Sequence, residues 1–266
     1  MAHLLRAKDY GDRVFRGEET ATVHSVFERG FNLAIADSRL VHIAIDKPSE
    51  HPQMVGFGAS AGAWLGPEVG SRFQVSESRK LLQGSNLVID CRHALPLEAL
   101  SLQATCLSQE QLRQIDSSVR TRMQGRDLEH WQVYFIAIES QVRAFASTGR
   151  VENLGAVVGL GLGLTPTGDD VLVGLLASLK SRGSQHTKDL EDLMRGYADR
   201  TTDVSADLLR AAAAGYFPFA LVDLANSKPD RGAGEIESLV RRICAIGATS
   251  GMDTLLGFMM GMQEVQ

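Results

Sequence analysis

The chain has 266 residues, room for one large domain or two small ones, and its 44% apolar and 22% charged residues exclude a disordered tail. Its net charge of −5, with no long basic run, argues against electrostatic binding to nucleic acid or to an anionic membrane. The opening MAHLLRAKDYGDRVF is charged throughout and does not read as a secretory signal, no apolar run approaches the roughly 20 residues of a membrane span, and Cys91, Cys106 and Cys244 are scattered as in a reducing cytosol, so a cytoplasmic protein is expected.

Residues 20–91 read as short strands. TATVHSVF, FNLAIA and LVHIAI are β-branched and apolar, with Asp37-Ser38-Arg39 as a hairpin connection between the last two. QMVGF, RFQVS and NLVIDC follow, and GFGASAGAWLGPEVG, 56–70, reads as a loop between them. His24, His42 and His93 lie on or beside these strands and read as structural or surface residues. After Pro96 the period changes. Trp131, Tyr134, Phe135, Ile138, Val142 and Phe145 recur at helical spacing, predicting an amphipathic helix over 127–147. Further helical patterns fall near 107–123, 169–181, 187–199, 203–214, 234–246 and 252–263, with GSQH and NSKPDRGAG as surface connections. The expectation is an α+β chain: a mostly β subdomain over 1–100, then a mostly helical subdomain over 101–266.

One stretch of the helical half stands apart. GLGLGLTPTGDD, 159–170, joins alternating glycines to a Thr-Pro-Thr-Gly turn and two adjacent carboxylates. It is not a phosphate-binding Walker loop, since no Lys occurs between 152 and 179, and its glycine spacing is not that of a dinucleotide fold. The end of the stretch is echoed 83 residues later: TGDDVLVGLL begins at Thr167 and SGMDTLLGFM at Ser250, both reading [ST]-G-x-D-x-L-x-G-x-[LM]. Each copy looks like a helix start. Thr167 with Asp170 and Ser250 with Asp253 have capping-box spacing, while Thr165 before Pro166 offers a rival start for the first copy. Gly174 and Gly257 come four residues after the second acid of each copy, on the same helix face, where they would let another backbone approach.

Carboxylates at a helix start would repel a bare anion. They suit Mg²⁺, an amide or urea-like NH₂ group, or a cationic side chain, while backbone N–H groups of the glycine loop could hold the anionic end of the same small molecule. In TTDVSADLLRAAAAGYF, 201–217, Arg210 is a lone cation in an apolar stretch, either lying on the surface or pairing with a carboxylate or phosphate.

These blocks resemble the AllH-type proteins. The resemblance is carried by GxGxGLTPTGDDxLxG at 159–174, TTxxSxxLLRxAxxGYF at 201–217 and GxTSGxDTLLGF at 247–258, with weaker likeness in FNLAIADSRLVHIA and GFGASAGAW. Leu162 stands where members usually have Pro. The resemblance implies one subunit of an oxamate carbamoyltransferase of allantoin degradation, which moves a carbamoyl group between carbamoyl phosphate and oxamate, with oxalurate as the carbamoylated compound. It implies an FdrA-like partner and a third, larger subunit. As an enzyme subunit, the chain would use Asp169, Asp170 and Asp253 on the amide. Gly161, Gly163, Thr165, Thr167, Gly168, Ser205, Arg210, Thr249, Ser250 and Gly251 would bind substrate, and Asp170 and Asp253 are the candidates for Mg²⁺. No Ser-His or Cys-His pairing is legible, so no covalent nucleophile is expected. The alternative is a non-catalytic assembly subunit whose acid-rich helix starts receive partner proteins.

Overall fold

The computed structural model describes residues 2–35, 39–58, 66–123 and 129–263, which form two compact units, Met1–Ala99 and Leu100–Gln266. The architecture is α+β, with a ten-stranded sheet over residues 3–97 followed by helices over 109–263.

The first unit is one curled sheet. Its strands are β1 (His3–Arg6), β2 (Asp9–Gly11), β3 (Glu18–Phe27), β4 (Gly30–Ile35), β5 (Leu40–Ala44), β6 (Met54–Gly56), β7 (Arg72–Ser76), β8 (Leu81–Gly84), β9 (Leu87–Asp90) and β10 (Leu95–Leu97). Their order is β1-β9-β8-β7-β3-β4-β5-β6-β2-β10. β1 is therefore one edge and β2 lies next to the other, although only Ala7 and Lys8 separate them in sequence. A linker that short spans only about 10 Å from strand to strand, so the sheet must roll round until its edges nearly meet. The linker also bonds both sides: Ala7 N–H to Asp90 O, Lys8 N–H to Gly56 O, and Leu95 N–H to Lys8 O. Phe31, Leu33, Phe73, Leu82 and Ile89 fill the interior. β4 and β5 pair antiparallel as expected, with Ile35 N–H bonded to Arg39 O, while Asp37 and Ser38 of the expected connection lie outside the described residues. So do residues 59–65 of the expected glycine-rich loop.

The second unit contains α1 (Gln109–Met123), α2 (Glu129–Thr148), α3 (Thr167–Ser181), α4 (Thr187–Tyr197), α5 (Asp203–Ala213), α6 (Phe219–Ala225), α7 (Ala233–Cys244) and α8 (Ser250–Gln263). A 3-10 turn, Val151–Ala156, links α2 to the glycine loop. α3 is the central helix, since every residue but Lys180 is buried, and a helix apolar on all sides has to sit inside a bundle. Its closest neighbour is α8. No helix among the described residues is long and apolar enough to cross a membrane.

Candidate functional site

The echo between Thr167 and Ser250 is a contact. A Cβ on Gly174 would fall 1.8 Å from the Thr254 carbonyl oxygen, and one on Gly257 would fall 2.0 Å from that of Val171. Thr254 and Val171 each follow the motif acid of their own copy, so the two contacts exchange on a shift of 83 residues. A Cβ on Gly261 would meet Ser178 Cβ at 2.7 Å, and 178 plus the same shift is 261. Contacts in which i meets j and j's equivalent meets i's equivalent define a local two-fold. Thr165 meets Ser250 at one end and Ser178 meets Gly261 towards the other, so α3 and α8 run parallel, backbone against backbone. Their first turns lie side by side.

Asp170 and Asp253 stand at that shared end, 6% and 0% exposed. Their surroundings partly follow the two-fold. The Ser250 hydroxyl serves Asp170 and the Thr167 hydroxyl serves Asp253, each copy supplying the other. This replaces the expected capping box of the first copy: α3 starts after Pro166 with no side-chain cap bond, and Thr167 is already helical. Asp170 is also faced by Thr165, whose hydroxyl is 2.6 Å from that of Ser250. Asp253 Oδ1 accepts a 2.6 Å bond from the Trp131 indole N–H on α2 and is also served by Thr249. The Oδ2 atoms of both acids are buried without a hydrogen-bond partner among the described residues.

Electrostatics at this end is a contest between two effects. Two parallel helix N-termini present partial positive charge, each stabilising a carboxylate by about 0.3–1 kcal/mol and up to roughly 2 when partly buried. Removing a carboxylate from water costs several kcal/mol. Burial wins. The Asp253 carboxyl is raised to about 6, chiefly by desolvation, against the lowering effect of its three donors. Asp170 is raised well above the usual carboxylate range by burial and then by the charge of Asp253.

Asp169 does a different job. It accepts from Gly159 N–H at 2.8 Å, from Ser205 Oγ at 2.6 Å and from Thr201 Oγ1, pinning the glycine loop to the start of α5. Burial still raises its carboxyl, opposed by these three bonds. Thr202 caps α5, accepting from Ser205 N–H, and donates to the Leu164 carbonyl. Within the loop, Gly159, Gly161 and Gly163 all have positive φ. Gly161 lies over the start of α3, where a Cβ would sit 2.5 Å from Thr167 N. The N–H groups of Gly161 and Gly163 make no hydrogen bond among the described residues.

The fold thus brings Asp169, Asp170, Asp253, Thr165, Thr167, Ser205, Thr249 and Ser250 together. Gly168 and Gly251 are packing positions, since a Cβ there would strike the carbonyl oxygens of Val157 at 2.0 Å and Ile243 at 1.7 Å. Arg210 lies two turns into α5 and ion-pairs with the exposed Asp199. Sequence reasoning missed Trp131, read as one more apolar residue of α2, and Thr201, which anchors Asp169. A buried indole N–H needs an acceptor, which is the signal that Trp131 carried.

Fold and site define an α+β protein whose helical unit gathers three buried aspartates at a pair of parallel helix starts. Residues 157–262, the segment from the glycine loop to the end of α8, match the model of the family described as oxamate carbamoyltransferase subunit AllH. Over this segment the chain is similar to the AllH-type proteins. No solved structure matches the chain.

Proposed function

We propose that the chain is a subunit of a carbamoyltransferase-type complex and that the paired starts of α3 and α8 bind the amide end of a small anionic substrate. The family description supports the complex. The observation that carries the binding reading is the Asp170–Asp253 pair, two adjacent buried acids whose Oδ2 atoms have no donor. An NH₂ group supplies donors that such oxygens want. Mg²⁺ is a poorer guest, because it usually keeps several of its waters and these oxygens are closed off from solvent. At the other end of the ligand, the N–H groups of Gly161 and Gly163 are the candidates for an anion or a developing oxyanion. With oxamate as acceptor and carbamoyl phosphate as donor, the amide nitrogen displaces phosphate from the carbamoyl carbon, and the products are oxalurate and phosphate. Calorimetric titration of the purified chain with oxamate, oxalurate and carbamoyl phosphate tests the reading. Saturable heat with at least one is expected, and heat with none sinks it.

A second reading, a subunit that assembles rather than binds substrate, is favoured by one feature. Val133 and Ile136, one turn apart on α2, are 68% and 66% exposed, an apolar face beside the helix's buried one. In this reading the FdrA-like and larger subunits cover that face. Changing both residues to Ser should abolish co-purification with those subunits while leaving the fold intact, and retained co-purification removes the face from the assembly.

A further inference from the structure

The two acids at the paired helix starts have neighbours of different kinds. The Trp131 indole N–H can only donate, so Asp253 Oδ1, 2.6 Å away, has to accept. Asp170 is faced by the hydroxyls of Thr165 and Ser250, which accept as readily as they donate. Asp253 is faced by the Thr167 and Thr249 hydroxyls as well, so it is the indole, a donor that cannot turn into an acceptor, that favours the ionised form on Asp253 and leaves the proton to Asp170. Each acid is more than nine-tenths buried and keeps one oxygen, Oδ2, without a partner. We propose that Asp170 holds a proton and acts as donor while Asp253 stays ionised and acts as acceptor, so that the pair reads a primary amide or urea group. The carbonyl oxygen would lie on Asp170 and an N–H on Asp253. The assignment rests on the binding reading above and names which acid sets its specificity.

The surrounding charges agree. Burial and the Asp253 charge, with a smaller push from Asp169, drive the Asp170 carboxyl well up, while three donors limit Asp253 to about 6. α2 turns Trp131 to the pair, α5 turns Ser205 to Asp169, and no Lys or Arg is among the groups that shift either acid. A dicarboxylate gives Asp253 no N–H and is repelled. Both Oδ2 atoms are enclosed, so binding requires segment 162–165, which carries the Thr165 hydroxyl that faces Asp170, to lift. That segment is lightly held: Leu162 and Leu164 are 63% and 46% exposed, and beyond the neighbouring residues of the chain nothing lies within 4 Å of where a Gly163 Cβ would be. Its ties at the far end are Thr202 to the Leu164 carbonyl and Thr165 to Ser250.

The full chain is titrated with oxamate and with oxalate. Wild type is expected to take oxamate and discriminate against oxalate. Asp170→Asn replaces the acid O–H by an amide N–H and should keep oxamate affinity within about threefold. In Asp253→Asn the Trp131 donor holds the amide oxygen, which turns the NH₂ toward the ligand. Oxamate should then weaken by at least about tenfold, the scale of one charge-assisted hydrogen bond. Equal losses in the two variants, or the larger loss in Asp170→Asn, overturn the assignment. If Asp170→Asn fails to fold, Asp170→Ser keeps a donor and replaces it. Infrared spectra of protein carrying ¹³C-labelled aspartate separate the two readings. A protonated-carboxyl band at neutral pH should be present in wild type, lost in Asp170→Asn and kept in Asp253→Asn. Oxamate binding without the band overturns only the assignment. The band without binding of oxamate overturns the amide reading itself.

Discussion

The starts of α3 and α8 are two copies of one motif put to unequal use. Both supply a hydroxyl to the other copy's acid, and both carry a glycine one turn later against the other's backbone. They differ at the residue before the motif acid and in what covers it. The first copy has Asp169, which ties down the glycine loop, and the second has Met252, which is buried in the core. Each acid faces two hydroxyls, and the second faces an indole as well. The shared features belong to the helix interface, where a parallel backbone contact requires glycine on both sides. The unshared ones belong to the site. A two-fold frame thus fixes where two acids meet, and departures from the two-fold make them chemically distinct.

The frame itself is the easiest thing to break. Gly174→Ala and Gly257→Ala each drive a Cβ into a carbonyl oxygen of the facing helix, which cannot yield without separating α3 from α8. Each should cost about 3–5 kcal/mol, beyond ordinary overpacking, because the obstacle is backbone. Chemical denaturation should give nearly equal losses for the two. A loss in one copy with none in the other would mean that the helices do not share a reciprocal contact.

The next prediction concerns the feature that the second copy lacks. Asp169→Ala leaves Gly159 N–H, Ser205 and Thr201 without their acceptor. Stranding buried donors costs about 1–3 kcal/mol, so a loss of roughly 3 kcal/mol is expected, with faster amide exchange across 159–165. Unchanged exchange in the loop would separate Asp169 from the glycine segment.

Much of this was legible beforehand, for physical reasons. β3, β4, β5 and β7 are long enough to show alternation. β1, β2, β8 and β10 have three or four residues each, too few to carry a period, and the pairing of β1 with β9 joins residues more than 80 apart. α6 was missed because its seven residues give only two turns, too few for a helical period to show. At the site, the glycine spacing announced a close helix contact because a helical glycine has no cheaper explanation. That the two helix starts lie side by side was not legible, since a sequence repeat does not reveal the direction of a two-fold axis. Trp131 belongs to a third helix and reaches Asp253 only through tertiary packing. Arg210 stood out as a lone cation, but its partner Asp199 is eleven residues back in a 3-10 turn, outside any helical spacing rule.

The smallest expected effect separates the two acids by pH. A carboxyl whose folded-state value is raised binds its proton more tightly folded than unfolded. Its contribution to stability is therefore complete below the ordinary value near 4 and is lost as pH rises through the folded value. For Asp253 that value is about 6, so the loss falls between about pH 4 and pH 6. It amounts to something on the order of 2 kcal/mol. Asp170, also raised by burial, is present in both proteins, so most of its own slope cancels in their difference. The stability of wild type minus that of Asp253→Asn should accordingly decline with rising pH over this window and flatten above it. Trp131→Phe sharpens the test. The indole bond lowers the Asp253 value, so removing it should raise that value and move the end of the decline to higher pH. A difference curve that is flat from pH 4 to 6, or a Trp131→Phe curve displaced to lower pH, would mean that Asp253 is not the buried acid that burial, the indole and the facing helix make it.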